Sequence, residues 1–346
     1  MDLTRTFVEI GLQDRPAVGG KGANLGELTR AGISVPPGFV VTASCFTQFA
    51  DSIDPDGSLR GALETLDAND VCAVADAGAD MRRRIEGMTL PSDIAAALAE
   101  AHRALCASPE MPVAVRSSAT SEDAEDASFA GLQDTYLWLC GTDSVIHHVR
   151  ACWASLYSTE SLSYRRRLGM KEDGIAMAVV VQRMVDSRCS GVMFTRSPLT
   201  GDRSVIVIEG SYGLGSCIVS GEVTPDKFVI SKVTGEVSER TISRKAVQHT
   251  PDREAGGVRE EEVADTLRDA PCVTDAELRA LADIARKVER HYGRPQDIEW
   301  AISRDGELLL LQSRPETVWS RKDAAPVTAP KSSALDHVFA TFGTRR

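Results

Sequence analysis

The sequence lacks long apolar runs and has few aromatic residues, which make up 5% of its 346 residues. No uncharged apolar run reaches the roughly 20 residues that a membrane-spanning helix requires. The first residues, MDLTRTFVEIG, also lack the basic and apolar regions of a secretory signal. We therefore expect a cytoplasmic protein that has no membrane partner.

Positively charged residues are fewer than negatively charged ones. The chain has 39 Lys and Arg residues against 50 Asp and Glu, for a formal net charge of -11. Nucleic acids and anionic membranes are bound by a basic field that gathers phosphates, so neither is an expected partner. A small ligand that carries phosphate stays possible, because a few lysines and arginines can dominate the charge inside a cleft.

The cysteines lack the spacing of a metal or redox site. Eight are spread singly along the chain, with no CxxC pair and no histidine at zinc-ligand spacing. We expect them to be reduced and mostly buried, since 42% of the chain is hydrophobic and its length allows a sizeable core.

Helical and extended patterns alternate along the chain. FVEIG predicts a short strand, and GGKGANLGELTRAG predicts a glycine turn and a helix that stops at Gly32. Residues 39–41 predict a strand, followed by a helix that Thr42 or Ser44 could cap. The apolar run AMAVVVQRMV is typical of a strand buried on both faces. We further expect helices over about 59–107, 144–166 and 275–292, strands over 113–115, VMFT, VIVIEG, KFVIS, 298–302 and 308–312, and a linker or tail over 321–346.

The first segment that suggests chemistry is GGKGANLGEL, residues 19–28, which places Lys21 beside a predicted helix N-terminus. Its glycines let the backbone approach a ligand, and free N–H groups, the positive helix end and the lysine charge together suit phosphate oxygens. The segment is not a Walker A loop, which reads GxxxxGK followed by Ser or Thr. The alternative is a plain glycine turn with a solvated lysine.

The second segment is VAVRSSATSEDAEDASFAGLQDTY, in which Arg116 stands at the end of a predicted buried strand. An arginine there presents a planar fork that suits bidentate phosphate binding. Gly131 and Thr135, on the returning segment, could contact phosphates through a backbone amide and a hydroxyl. The alternative for Arg116 is a structural ion pair with an acidic residue of the intervening loop.

The third segment, DIEWAISRDGELLLLQSRP, predicts a hairpin with charged residues two apart on both strands. Asp297 and Glu299 would face the same side of one strand, and Gln312 and Arg314 the same side of its partner. Mg²⁺ takes oxygen ligands and usually bridges protein carboxylates to nucleotide phosphates. Asp297, Glu299 and Gln312 are therefore candidate metal ligands, and Arg314 would balance phosphate charge. A surface ladder of salt bridges is the alternative.

A fourth segment, GSYGLGSCIVSGEVTPD, is a glycine-rich stretch between predicted strands. It contains GxG but no GxGxxG after a strand, so a nicotinamide-binding fingerprint is not indicated. Such stretches also form ordinary turns, and this one alone assigns no ligand.

Taken together and in this order, the four segments resemble the nucleotide-binding domain shared by phosphoenolpyruvate synthase, pyruvate phosphate dikinase, rifampicin phosphotransferase and phenylphosphate synthase. The resemblance runs over about residues 19–315, and the joint occurrence of VRSSAT, SFAG, GVMFT, GLG and QSRP is more specific than any single piece. It implies an α+β, ATP-grasp-type bilobal fold with ATP and Mg²⁺ held between two lobes. The first lobe would span about 1–195 and the second about 196–320, before the tail.

The resemblance also implies roles for individual residues. Lys21, Arg116 and Arg314 would be the cations that bind phosphate and support catalysis. Gln182 would lie where the strand between the lobes meets the adenine. The implied ATP-binding set is Lys21, Arg116, Gly131, Thr135, Gln182, Glu299, Gln312 and Arg314, with Glu299, Gln312 and Asp297 facing the metal.

Two positions depart from the family pattern. Ser216 follows GLG where relatives commonly carry Glu, and Leu132 stands where a polar Gln is frequent. Either could alter the nucleotide side or the acceptor side of the cleft, and neither removes a phosphate-binding cation.

The resemblance implies a reaction that cleaves ATP to AMP and phosphate and phosphorylates a histidine. None of the six histidines lies in the Gly, Thr and Ser-rich loop that carries this histidine in relatives. We therefore expect one subunit of a split phosphotransferase, whose partner protein carries the phosphohistidine domain and an acceptor-binding domain. A regulatory module that binds nucleotide without catalysis, and a stand-alone kinase that produces ADP, are the alternatives.

Overall fold

The computed structural model describes residues 2–120, 134–317 and 319. Two antiparallel sheets and the helices that cover them make up most of these residues. The mixed α+β architecture expected from the sequence is thereby confirmed.

The first sheet has the strand order β1-β2-β5-β3-β4. Its central strand, β5, carries the apolar run MAVVVQ, and each of these six residues is buried. The prediction of a strand buried on both faces is therefore confirmed. The strands are β1 (Thr4–Thr6), β2 (Gly38–Val41), β3 (Val113–Ala119), β4 (Thr135–Leu139) and β5 (Met177–Arg183).

The second sheet has the order β13-β12-β6-β7-β8-β9, and a separate hairpin pairs β10 with β11. The expected hairpin near the end of the chain is confirmed, and its strands β12 and β13 run longer than the sequence pattern indicated. The strands are β6 (Ser187–Phe194), β7 (Val205–Tyr212), β8 (Asp226–Ser231), β9 (Val237–Thr241), β10 (Val247–Pro251), β11 (Val258–Glu262), β12 (Gln296–Ser303) and β13 (Leu308–Pro315).

The helices pack against both sheets and divide the interior into three apolar clusters. The largest lies between the first sheet and the helices from α2 to α7, around the fully buried Trp153. The second lies between the second sheet and α10. The helices are α1 (Arg15–Arg30), α2 (Ala43–Ile53), α3 (Ser58–Glu64), α4 (Val71–Gly87), α5 (Ser92–Leu105), α6 (Thr142–Ser155), α7 (Thr159–Arg167), α8 (Ser216–Val219), α9 (Asp265–Arg268) and α10 (Asp275–Tyr292).

Helix α1 connects the two sheets. Val18 and Leu25 pack in a cluster on the face of the first sheet opposite the largest cluster, whereas Leu28 packs in the cluster of the second sheet. Two polar contacts with α10 support the connection, because His291 Nε2 lies 2.7 Å from a carboxylate oxygen of Glu27 and Lys287 donates to the Gly32 carbonyl oxygen. The position of α1 is therefore tied to both sheets at once.

Two local predictions are wrong. The FVEIG segment is not a strand: residues Phe7–Glu9 form a 3-10 turn, because the Glu9 carboxylate accepts hydrogen bonds from the backbone and hydroxyl of Thr6 and holds a turn there. The single helix expected over 144–166 is two helices, α6 and α7. The Ser158 hydroxyl accepts from the Ser161 amide and starts the second helix.

The change from one sheet to the other falls between β5 and β6. The chain leaves the first sheet at Arg183 and enters the second at Ser187. A lobe boundary near residue 195 would place β6 in the first lobe, but β6 pairs with β12 and β7 of the second sheet. The division into lobes stays a prediction, and the proposed tail over 321–346 lies outside the described residues.

Six of the eight cysteines are buried and only Cys72 and Cys140 are exposed, so the expectation of mostly buried thiols is confirmed. Burial raises the pKa of the Cys45 thiol to about 11. Within the described ranges no helix has the length and apolarity needed to cross a membrane.

Candidate active site

A cavity of about 410 Å³ lies where the two sheets meet. One wall comes from β3, β4 and β5, and the other from β6 and the hairpin of β12 and β13. The segment that joins the sheets, residues 183–185, closes one side, and the loop after β7 closes another. Most of the cavity lining is apolar, and it includes Ala114, Leu137, Met184, Val192, Trp300 and Leu311.

Arg116 crosses from the first wall to the second. It lies on β3 and is only 8% exposed. Its guanidinium donates to the Glu299 carboxylate at 2.8 Å, to the Gln312 amide oxygen at 2.7 Å and to the Leu311 carbonyl oxygen at 3.0 Å. Its Nε atom is buried and finds no hydrogen-bond partner among the described residues, so donor capacity is left for an anion.

The acceptors of Arg116 stand side by side on the second sheet. Glu299 on β12 is in register with Gln312 on β13, and Asp297 is in register with Arg314. The side chain of Glu299 is 39% exposed, and the Arg314 Nε lies 3.4 Å from an Asp297 carboxylate oxygen. The hairpin therefore brings two carboxylates, an amide oxygen and a guanidinium together, as the two-residue spacing predicted.

Lys21 lies within α1, two residues after Gly19, where a non-helical backbone interrupts the helix. Gly19 has a φ of +72°, and a Cβ there would lie 2.1 Å from the Ser118 carbonyl oxygen, so glycine is required for this approach. The Ser118 hydroxyl also accepts from the Gly22 amide. These contacts anchor the segment of Lys21 to the end of β3, two residues past Arg116. Lys21 is not among the described residues that line the cavity.

The remaining predicted residues divide into three groups. Thr135 on β4 is in register with Arg116 and lines the cavity. Gln182 on β5 also lines it, although its amide nitrogen donates to the Pro36 carbonyl oxygen. Gly131 and Leu132 lie outside the described residues.

The side-chain oxygens of the hairpin could hold a magnesium ion if phosphates and waters supplied the remaining ligands. In the part of the chain that the structure describes, no three His, Cys, Asp or Glu residues are grouped so that they could hold a metal ion. Carboxylate and amide oxygens are nevertheless the ligands that Mg²⁺ takes, and it commonly completes its shell with waters and substrate phosphates. Glu299, Gln312 and Asp297 fit that pattern.

Two features of the cavity were missed by the sequence reasoning. One is the segment of residues 183–185, which no motif marks. The other is a hydrogen-bonded series on the rim, in which Ser216 Oγ lies 2.7 Å from His249 Nδ1 and His249 Nε2 lies 2.7 Å from a Glu222 carboxylate oxygen. The sequence marked Ser216 only as a departure from a family pattern, because His249 is 33 residues away and meets it only in the fold.

The fold and the cavity define a two-sheet ligand-binding domain whose facing walls carry buried arginine on one side and carboxylates on the other. The chain belongs to the family of the pyruvate phosphate dikinase AMP/ATP-binding domain, whose model matches residues 15–334. This match confirms the resemblance, and with it the ATP-grasp-type fold class and ATP as the expected ligand.

Curated relatives agree with this assignment. The chain is 45% identical to a probable phosphoenolpyruvate synthase of Methanothermobacter thermautotrophicus over 90% of its own length and 45% of the relative. It is 43% identical to the phosphoenolpyruvate synthase of Aeropyrum pernix over 94% of its length and 44% of the relative. The chain thus spans less than half the length of these relatives.

Among solved structures, D-alanyl-alanine synthetase A from Vibrio cholerae matches at 12% identity over 65% of this chain and 47% of that chain. The TM-score is 0.28, which is too low to support an argument about the fold.

The loop that carries Ser216 depends on one glycine. Gly213 has a φ of +71°, and a Cβ there would lie 2.3 Å from the His249 carbonyl oxygen. We expect Gly213→Ala to lower the free energy of unfolding by roughly 1–3 kcal/mol, because alanine is strained in this conformation and would push β10 away. Urea unfolding followed by circular dichroism measures the change.

Gly215→Ala is the matched control for this prediction. Gly215 has a φ of -66°, and the nearest atom to an added Cβ is 3.5 Å away. Its substitution should change the free energy of unfolding by less than about 1 kcal/mol. Equal losses in the two variants would contradict the assignment of strain to Gly213.

Proposed function

We propose that the chain binds ATP and Mg²⁺ in the cavity between the sheets and is the nucleotide-binding part of a dikinase-type phosphotransferase. The observation that carries this proposal is the contact of Arg116 with Glu299 and Gln312 across the cavity. It places a phosphate-binding cation of one wall against the metal-binding oxygens of the other.

The base of the nucleotide belongs at the side closed by residues 183–185. That side combines apolar side chains with backbone edges and the Gln182 side chain. A purine needs this combination, because its faces are apolar and its edge forms hydrogen bonds. With the base at this side of the cavity, the triphosphate would extend toward Arg116 and the hairpin of β12 and β13 that Arg116 contacts.

The phosphates would be held by cations from both walls. Arg116 offers a planar fork and an unsatisfied Nε, Arg314 stands 49% exposed on β13, and Lys21 extends from α1 near the end of β3. Thr135 and Gly131 would add a hydroxyl and a backbone amide. Lys21, Arg116 and Arg314 act in catalysis by neutralising charge on the transferred group, which is the main catalytic contribution in phosphoryl transfer.

Glu299, Gln312 and Asp297 are the proposed magnesium ligands. When bound, Mg²⁺ neutralises phosphate charge and aligns the phosphates for attack. Because Glu299 and Gln312 accept hydrogen bonds from Arg116, these oxygens would be available to Mg²⁺ where Arg116 donates to phosphate oxygens instead. Metal and nucleotide binding are therefore coupled.

The acceptor of the phosphoryl group is a histidine on a partner protein that carries a phosphohistidine domain and an acceptor-binding domain. In this reaction the histidine takes a pyrophosphoryl group from ATP and AMP leaves. Water then cleaves the terminal phosphoryl group as phosphate, and the remaining phosphohistidine carries the group for the acceptor. Of the histidines that the structure describes, none lines the cavity, which supports an acceptor from elsewhere. The phosphoenolpyruvate synthase names of the relatives suggest pyruvate-type chemistry for the complete system.

Removing the guanidinium of Arg116 tests the binding site. We expect Arg116→Ala to weaken ATP binding by roughly 10- to 100-fold, because hydrogen bonds to charged groups are lost. Arg116→Lys keeps the charge without the fork and should fall between wild type and alanine. Isothermal titration calorimetry with ATP and Mg²⁺ measures the affinities.

Arg240→Ala is the control, since it removes the same charge from an exposed position on β9. An equal loss of affinity in Arg240→Ala would show that net charge, rather than the cavity, binds the nucleotide. Unchanged ATP affinity in Arg116→Ala would contradict the proposed site.

Glu299→Gln tests the metal ligands. The variant keeps an oxygen in place but loses the carboxylate charge, so we expect the Mg²⁺ concentration that half-saturates ATP binding to rise roughly 10-fold or more. Glu307→Gln, in the exposed turn of the same hairpin, should leave it unchanged. A Mg²⁺ requirement that is the same in Glu299→Gln and wild type would remove Glu299 from the metal site.

Product analysis tests the transfer. With ATP and Mg²⁺ we expect negligible turnover by the chain alone, and AMP with phosphate once a phosphohistidine-domain protein of the same family is added. Chromatography of radiolabelled ATP separates the outcomes. ADP from the chain alone would establish a stand-alone kinase, whereas no AMP with any such partner would favour a regulatory module.

A further inference from the structure

Ser216, His249 and Glu222 form a continuous hydrogen-bonded series at the rim of the cavity. Ser216 lines the cavity, His249 lies behind it with a side chain 16% exposed, and Glu222 ends the series with a side chain 42% exposed. The two joining distances are both 2.7 Å. The three residues come from α8, from β10 and from the loop after α8, so the tertiary structure assembles them.

The loop of Ser216 is fixed on both sides. The Leu214 amide donates to the His249 carbonyl oxygen at 2.9 Å, which ties the loop to β10. The Ser190 hydroxyl donates to the Gly213 carbonyl oxygen at 2.7 Å, which ties it to β6. The backbone before Ser216 is thus held by β10 and β6, and the Ser216 hydroxyl itself is in hydrogen-bond contact with His249.

The series orients the Ser216 proton when the His249 imidazole is neutral. An ionised carboxylate only accepts hydrogen bonds, so Glu222 requires a proton on His249 Nε2. In neutral imidazole the other nitrogen, Nδ1, is then an acceptor, and Ser216 donates its hydroxyl proton to it. The lone pairs of Ser216 Oγ remain for a donor that enters the cavity.

The point at which the segment before Ser216 is bonded to β6 indicates which part of a nucleotide Ser216 meets. β6 starts at Ser187, beside the segment proposed to meet the base, and Val192 is in register with Glu299 at the proposed phosphate end. Ser190, which binds the Ser216 loop, lies between them, three residues from Ser187 and two from Val192. The sugar of a nucleotide lies between its base and its phosphates.

We propose that Ser216, oriented by His249 and Glu222, accepts a hydrogen bond from a ribose hydroxyl and makes the site select ribonucleotides over deoxyribonucleotides. Ser216 is the contact residue, and His249 and Glu222 are positioning residues. This inference rests on the proposed function, since it assigns the sugar part of the same ATP site.

Titration calorimetry with ATP, 2′-deoxyATP and 3′-deoxyATP tests this assignment. The wild-type chain should bind ATP about 3- to 10-fold more tightly than at least one deoxy analogue, as expected for one neutral hydrogen bond. In Ser216→Ala this ratio should fall to about one, with ATP weakened to the affinity of that analogue. The affinity of the analogue should stay unchanged, which also shows that the variant is folded.

Two further variants separate the hydroxyl contact from general loop damage. Ser216→Thr keeps a hydroxyl and should retain the preference for ATP, whereas His249→Ala releases the Ser216 proton and should reduce it. Ser238→Ala is the control for the loss of a serine hydroxyl, because Ser238 lies on β9 outside the cavity lining and donates to the Val229 carbonyl oxygen, so the ratio should stay unchanged.

The role of Ser216 and the proposed ATP-binding function would fail in different ways. Equal wild-type affinity for all three nucleotides would overturn the role of Ser216 and leave the ATP site standing. An equal loss for all three in Ser216→Ala would also overturn it, since the serine would then be structural. If wild type bound none of them, the proposed function itself would fail, and the inference with it.

Discussion

The hydrogen bonds of Arg116 are the contact on which the rest of the site depends. The guanidinium leaves β3 in the first sheet and ends on Glu299, Gln312 and the Leu311 carbonyl in the second. A buried charge is tolerated only with partners, so this contact holds the two walls in a defined relation. In the proposed site, phosphate oxygens would take the place of the same acceptors. The two walls would then be joined through the triphosphate instead of by the direct hydrogen bonds of Arg116.

Helix α1 supplies the second constraint. It packs into the cores of both sheets, so its position is set by both. The close approach of Gly19 and Gly22 to Ser118 fixes the N-terminal half of the helix at the end of β3. The lysine between these glycines, Lys21, thereby has its backbone fixed beside the end of β3. In this way the apolar interior determines the arrangement of the charges.

The rim of the cavity shows how a departure from a family pattern can be accommodated. A serine is shorter than a glutamate and carries no charge, yet Ser216 is joined through His249 to the carboxylate of Glu222. The negative charge is therefore retained at Glu222, two hydrogen bonds away from Ser216, instead of at the cavity wall. This arrangement leaves the wall with a neutral acceptor, which suits a sugar hydroxyl and does not repel nearby phosphates.

The sequence by itself determined the buried strand β5, the hairpin of β12 and β13 and the grouping of Asp297, Glu299, Gln312 and Arg314. These follow from local periodicity, because alternate residues of a strand share a face. The sequence failed at residues 7–11 and 144–166, where single capping side chains outweigh the apolar pattern. Only the tertiary structure decided that β6 joins the second sheet, that Arg116 meets Glu299, and that His249 meets Ser216. Each of these contacts joins residues from different elements, and strand pairing between distant segments leaves no periodic signal in either one.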